Sequence, residues 1–268
     1  MTDRYAVIGN PIEHSKSPLI HTAFARQTGQ DIEYGRILAP LDDFAAVVDE
    51  FRSSGGKGLN VTVPFKEDAF RYAARLSARA EKARAVNTLH FLDDGAVFGD
   101  TTDGPGLARD IQANLHFSLR GKRILLMGAG GAARGVIQPL LDEAPTALTV
   151  VNRTTKKARE LAQAFSAING VGYEELSGQT YDVVINASAS SLHNDLPPLP
   201  AGIFASGALA YDMMYGRETP FMQFARNHGA GIIADGLGML VEQAAESFFI
   251  WRGVRPDTAP VLAQLRNT

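Results

Sequence analysis

Cysteine is absent from the 268-residue chain, which removes disulfides, thiol nucleophiles and thiolate zinc sites together and suits a reducing cytosol. A strong charge of one sign is absent as well. The formal net charge of -3 offers no basic field for a polyanion, so nucleic acid is not an expected partner. No apolar run approaches the ~20 residues of a membrane span, and the opening MTDRYAVIGNP has no basic stretch leading into an apolar one. A soluble cytoplasmic protein is expected, with no membrane partner. The six histidines are scattered, without HExxH or paired helical spacing, so no metal site is expected. Internal repeats and low-complexity tracts are missing too.

What is there is an ordinary globular composition, 45% hydrophobic and 21% charged, on a chain long enough for two medium domains. Strand-like runs alternate with helical ones, which predicts an α/β fold with a mostly parallel sheet. RYAVIGN reads as a strand and SPLIHTAFARQTG as a helix, with Ser17 as N-cap and Pro18 in its first turn. A strand at IEYGRIL, a helix at LDDFAAVVDEFRSSGG and a strand at GLNVTVPF follow. KEDAFRYAARLSARAEKA reads as one helix, and AVNTLHFL to AVFGD as a hairpin around Asp94-Gly95. After a helix at GLARDIQANL, the pattern restarts near residue 118 with RILLM, a glycine turn and a helix. It continues through ALTVV, TKKARELAQAF, YDVVINAS and GALAYDM to a last helix, LGMLVEQAAESFFIWRG, apolar on one face.

The glycine turn runs Gly128, Ala129, Gly130, Gly131, Ala132, Ala133 between a strand and a helix, the context a dinucleotide-binding fingerprint requires. Gly128 permits the tight turn, Gly130 lets backbone approach a pyrophosphate, and Ala133 allows close packing of helix on strand. Amides at the helix N-terminus then face the phosphates. The next strand ends in Asn152-Arg153-Thr154, where NAD proteins place an acid on the ribose hydroxyls about 20 residues on. Arg153 can fork onto a 2'-phosphate, Lys157 lies one turn further along, and Thr154 can cap the helix. The spacing therefore predicts NADP rather than NAD.

In the first half, Asn60 and Thr62 alternate with Val61 and Val63, giving a strand with one polar face that ends at Lys66. Taken alone, Lys66 reads better as a solvated lysine at the end of an edge strand than as a functional one. Ser15 and Ser17 put two hydroxyls at a helix N-terminus, where a carboxylate or several hydroxyls would bind. Asn87-Thr88 interrupts an apolar strand. Thr101-Thr102-Asp103-Gly104 precedes a helix, which Asp103 could simply cap.

Taken in order, GNPIEHSKSP, GLNVTVPFK, AVNTL, the TDG of DTTDG, GAGGA, NRT, YDMMY followed by TPF, and the last helix resemble the shikimate dehydrogenase family from residue 9 to 253. The resemblance implies an N-terminal α/β substrate domain and a C-terminal Rossmann domain that binds NADP, separated by a cleft. It divides the chain into residues 1-103, completed by C-terminal helices 238-268, and residues 104-237. It also implies reversible NADPH-dependent reduction of 3-dehydroshikimate to shikimate, a small-molecule reaction of chorismate and aromatic amino acid biosynthesis, with monomer and homodimer both open.

By the family pattern the catalytic pair falls on Lys66 and Asp103. Substrate contacts fall on Ser15, Ser17, Asn60, Thr62, Asn87, Tyr215 and Gln243. Cofactor contacts fall on Gly128, Ala129, Gly130, Gly131 and Ala132, on Asn152, Arg153, Thr154 and Lys157, and on Met213 and Gly236. Two stretches depart from the pattern. Thr101 stands where the family commonly has Asn, which alters the floor of the substrate pocket. Asn186 to Ser191 replaces NATSSG, which loses a glycine and changes the loop beside the cofactor. The rival readings are a quinate/shikimate paralogue with broader substrate or NAD use, and a non-catalytic cofactor sensor.

Overall fold

The computed structural model describes residues 2-188, 190 and 194-267. The chain forms two compact units: Met1–Gly106 with Leu240–Thr268, and Leu107–Met239.

The first unit contains β1 (Asp3–Gly9), α1 (Ser17–Thr28), β2 (Ile32–Leu38), α2 (Phe44–Ser53), β3 (Gly56–Val61), α3 (Lys66–Tyr72), β4 (Arg75–Leu76), α4 (Ala78–Ala83), β5 (Thr88–Phe91) and β6 (Val97–Asp100). Its six strands lie in the order β2-β1-β3-β5-β6-β4. β1 runs parallel to both neighbours because helices make the crossovers, whereas β5 and β6 form the antiparallel hairpin expected around Asp94-Gly95. Tyr5 to Ile8 of β1 are all buried, as a strand covered on both faces requires.

The register aligns polar residues. Asn60 stands opposite Thr88, and Thr88 opposite Asp100, so polar side chains form a row across three strands.

Local order departs from the sequence expectation at several points. β3 stops at Val61, and Val63 is 63% exposed, so the alternation does not run on to Lys66. Lys66 instead opens α3. The single helix expected from Lys66 to Ala83 is broken: Ala73 is extended, Arg75 and Leu76 pair with β6, and Ser77 restarts the helix by accepting from the Ala80 amide at 3.2 Å. Lys16, not Ser17, occupies the N-cap of α1, and the Ser15 hydroxyl accepts from the Ser17 amide at 3.3 Å. The helix expected from residue 106 begins earlier, as α5 (Asp103–Arg109), and ends in a wider π turn over Asp110–Asn114.

The second unit holds β7 (Arg123–Met127), α6 (Gly131–Asp142), β8 (Ala147–Val151), α7 (Thr155–Ala164), β9 (Asn169–Val171), β10 (Tyr181–Asn186), β11 (Phe204–Asp212), α8 (Pro220–Asn227) and β12 (Ile232–Ala234). All its strands are parallel, in the order β12-β11-β10-β7-β8-β9. Strand order therefore reverses between β7 and β10, and ligands of doubly wound sheets bind outside the carboxyl ends of strands at such a switch point. Ile124 and Leu126 of β7 face one apolar cluster, while Leu125 and Met127 face the other. Burial on both sides explains the uninterrupted RILLM run. α9 (Leu237–Arg252) and α10 (Ala259–Arg266) complete the chain, with residues from Leu240 onward belonging to the first unit. Along α9 only Phe249 is exposed, so the helix is not apolar on one face alone, as the sequence had suggested. Among the described residues, no helix is long and apolar enough to cross a membrane.

Candidate active site and cofactor loop

Lys66 begins α3 and Asp103 begins α5, and the fold brings their side chains together: Nζ lies 2.5 Å from Oδ2. Lys66 is half-buried and Asp103 buried, at 21% and 11% side-chain exposure. Asn87, just before β5, donates to the other carboxylate oxygen of Asp103 at 2.8 Å. Its own Oδ1 accepts from the Thr102 amide at 2.8 Å and from the Thr88 hydroxyl at 3.0 Å. Gln243 of α9 is 3.3 Å from Asn87 Nδ2 through Oε1, while its Nε2 donates to the Leu240 carbonyl at 2.9 Å.

Behind these groups lies a cluster of three fully buried hydroxyls, Thr88, Thr102 and Ser247. Ser247 is 2.8 Å from Thr88 Oγ1 and 3.2 Å from Thr102 Oγ1, and it receives the Asn60 amide at 2.9 Å. Buried polar atoms must be paired to avoid a desolvation cost, and here they pair with one another, which fixes each one's direction. Ser15 and Ser17 lie at the start of α1 with their hydroxyls 3.2 Å apart. Thr62 stays outside this network; it is half-buried, and its methyl packs beside Gly9. Thr101 is buried, and its amide donates to Asp100 at 2.7 Å. Asp100 in turn holds Arg79 through two bonds of 2.7 Å.

Two participants escaped the sequence reading. Ser247 is a small polar residue one helical turn beyond Gln243, a spacing that places both on one face of α9. Tyr34, on β2, donates to Asn60 Oδ1 at 2.7 Å.

In the second unit the fingerprint folds as its glycines require. Gly128 has φ 113°, a conformation unfavourable to side chains, and a Cβ there would stand 2.9 Å from the Ala187 carbonyl oxygen. At Gly130 and Gly131 a Cβ would meet nothing within 4 Å, which leaves open space at the N-terminus of α6. Ala133 is fully buried against the sheet. An anion fits this end of α6, where no side chain caps the free amides.

Arg153, Thr154 and Lys157 are exposed around the start of α7, whose first turn holds no acidic residue. Asn152 is half-buried and donates to the Thr154 carbonyl at 3.1 Å. Thr154 takes the N-cap position, but its side chain makes no capping bond. Uncompensated positive charge here suits a phosphate better than a ribose hydroxyl. Gly236 touches Met213: a Cβ on the glycine would lie 2.2 Å from the Met213 carbonyl oxygen. Met213 is tied to β10 by its amide, 3.0 Å from the Asn186 carbonyl. Tyr215 is half-buried in the same unit, and burial raises its phenol above the ordinary range. Ser188 folds back on Asn186 Oδ1 at 2.6 Å; Ala189 and Ser191 of the departing loop lie outside the described residues. Among the described residues, no group of three or more His, Asp or Glu side chains is placed to hold a metal ion.

Three family models match successive parts of the chain. They are the shikimate dehydrogenase substrate binding domain over residues 7-89, shikimate / quinate 5-dehydrogenase over 108-194, and the shikimate 5'-dehydrogenase C-terminal domain over 236-266. A protein named shikimate dehydrogenase (NADP(+)) from Methylobacillus flagellatus is 61% identical, covering 98% of this chain and 99% of its own. The crystal structure of an Ael1 enzyme from Pseudomonas putida superposes with a TM-score of 0.93 at 52% identity, covering 98% of each chain. A shikimate 5-dehydrogenase from Thermus thermophilus, solved in complex with NADP(H) and shikimate, superposes with a TM-score of 0.89 at 32% identity over 99% of each chain. With full-length identity of this order and matching models from residue 7 to residue 266, the chain belongs to the shikimate dehydrogenase family.

Proposed function

We infer that this chain is an NADP-dependent shikimate dehydrogenase that interconverts 3-dehydroshikimate and shikimate in aromatic amino acid biosynthesis, acting in the cytoplasm. One observation carries the chemistry: the Lys66 ammonium and the Asp103 carboxylate sit 2.5 Å apart at the edge of a polar network. Reducing a ring ketone requires a proton at the oxygen as the carbon is reduced, and oxidising the alcohol requires the same proton to leave. Lys66 delivers and retrieves that proton. Asp103 orients the lysine and accepts a neighbouring substrate hydroxyl. Ser15, Ser17, Asn60, Thr62, Asn87 and Gln243 supply a hydroxylated ring acid with hydrogen bonds but little net charge, which matches its chemistry. Tyr215, on the second unit, is a further proposed contact.

The residues that would hold the dinucleotide are Gly128, Ala129, Gly130, Gly131 and Ala132 for the pyrophosphate. Asn152, Arg153, Thr154 and Lys157 would hold the adenosine end, with Met213 and Gly236 toward the nicotinamide. When bound, NADPH supplies the hydride to the substrate carbon, and NADP accepts it in reverse.

Steady-state rates with shikimate and with quinate, each with NADP and with NAD, test the reading. Fastest turnover is expected for shikimate with NADP. Preferred turnover of quinate with NAD would instead identify a paralogue of the kind that the shikimate / quinate model also spans. No turnover with either substrate would point to a non-catalytic sensor.

A further inference from the structure

Behind the Lys66–Asp103 pair, the Asn60 carboxamide is held at both ends. Its oxygen accepts from the Tyr34 phenol at 2.7 Å, and its nitrogen donates to Ser247 Oγ at 2.9 Å. Ser247 gives its own proton to the Gln243 carbonyl at 3.0 Å, so toward Asn60 it acts as an acceptor. These two bonds define which end of the amide is which. One N–H of Asn60 is committed to Ser247, while the other has only 3.3 Å contacts, to Thr88 Oγ1 and the Asn87 carbonyl.

Tyr34 itself cannot drift. Its ring lies flat on His21, with centroids 4.2 Å apart and planes 4° from parallel, and Trp251 closes the same aromatic group at 6.3 Å. Burial raises the Tyr34 phenol well above its ordinary value, so it remains a protonated donor throughout the working range.

We propose that Tyr34 is a positioning residue of the substrate pocket: it fixes the Asn60 amide so that Asn60 meets a substrate hydroxyl only as a donor. The inference rests on the shikimate reading. Without the phenol the amide keeps only the Ser247 bond of the two that orient it, its oxygen loses its donor, and rotation that presents an acceptor where a donor is needed becomes easier.

The test is Tyr34→Phe, which keeps the ring and its stack on His21. Shikimate KM rises about 5- to 20-fold, the range for loss of one oriented hydrogen bond, while kcat stays within about 2-fold and NADP KM is unchanged. A role in folding alone would lower the melting temperature without singling out shikimate KM. In an Asn60→Ala background, adding Tyr34→Phe has no further effect on shikimate KM, because the group through which Tyr34 acts is gone. An unchanged shikimate KM in the single variant, or an equal rise in the Asn60→Ala background, overturns the inference while leaving the functional reading intact. A wild-type enzyme that does not oxidise shikimate overturns both.

Discussion

Asn87 bonds the one oxygen of Asp103 that Lys66 does not: Nδ2 is 2.8 Å from Oδ1, while Nζ is 2.5 Å from Oδ2. The carboxylate is thus gripped from both sides and cannot swing when a ligand arrives. Because Asn87 is itself held by Thr102 and Thr88, the rigidity of the Asp103 carboxylate derives from the interior of the unit and not from its surface. A group preorganised in this way loses little on binding a charged transition state.

Replacing Lys66 by Ala removes the proposed proton donor but none of the buried network. The expected outcome is a kcat at least ~100-fold lower with shikimate KM changed by less than about 3-fold, measured from initial rates of NADPH formation. Asp103→Asn keeps the volume but not the charge, and it should lower kcat by a smaller factor because the lysine survives. Comparable kcat in Lys66→Ala and wild type would remove the lysine from the chemistry.

Arg153→Ala separates the two dinucleotides. With the guanidinium gone from the start of α7, the KM for NADP is expected to rise roughly 10-fold and that for NAD to stay within about 2-fold, since only the first carries a 2'-phosphate for the arginine to fork onto. Equal changes for both cofactors would show that Arg153 stacks on the base without meeting the phosphate.

Much of this was legible because certain chemistries leave only one residue type available. Gly128 must adopt φ 113°, and the apolar RILLM before it is buried on both faces, so the fingerprint could be located from the string alone. The partnership of Lys66 with Asp103 was different. Nothing in local spacing joins residues 37 positions apart, and the pair was reached through an ordered set of motifs. Local pattern failed where tertiary pairing overrode it. The stretch from Lys66 to Ala83 has helical composition, yet Arg75 and Leu76 are drawn out to extend the sheet beside β6. Ser247 and Tyr34 were invisible for another reason. A serine in an apolar helix and a tyrosine in a strand are ordinary residues until the register sets Thr88 opposite Asn60 and α9 is laid across them.

The two fingerprint glycines should answer differently to the same substitution. At Gly128 an alanine Cβ meets the Ala187 carbonyl at 2.9 Å on a backbone with φ 113°, so Gly128→Ala is expected to destabilise the second unit by about 2 kcal/mol or more. At Gly130 the Cβ meets no protein atom within 4 Å. Gly130→Ala should therefore unfold near the wild-type urea midpoint, yet bind NADP more weakly by isothermal titration, because the added methyl occupies the space proposed for the pyrophosphate. Loss of stability in both variants would show that packing alone selects the two glycines.

His21 gives the first unit a measurable acid sensitivity. The imidazole is fully buried between Tyr34, Phe24, Phe248 and Trp251, and burial pulls its pKa down from 6.5 to about 3. The unfolded chain therefore takes up a proton as pH falls through 6.5, whereas the folded chain takes none until about pH 3. Stability contributed by the neutral ring is complete above pH 6.5 and is lost progressively below it, at up to about 1.4 kcal/mol per pH unit. Between pH 6.5 and 5, before most carboxylates titrate, the loss amounts to roughly 2 kcal/mol. In His21→Phe the aromatic stack persists but this proton does not, so the variant's urea midpoint should fall less over the same interval. Trp251, the single tryptophan, lies 5.4 Å from the His21 ring and reports unfolding of this unit by its fluorescence. Groups common to both proteins cancel in the difference. Parallel pH slopes for the two proteins would mean that His21 is charged in the folded state, and the aromatic group around Tyr34 would then be holding a cation.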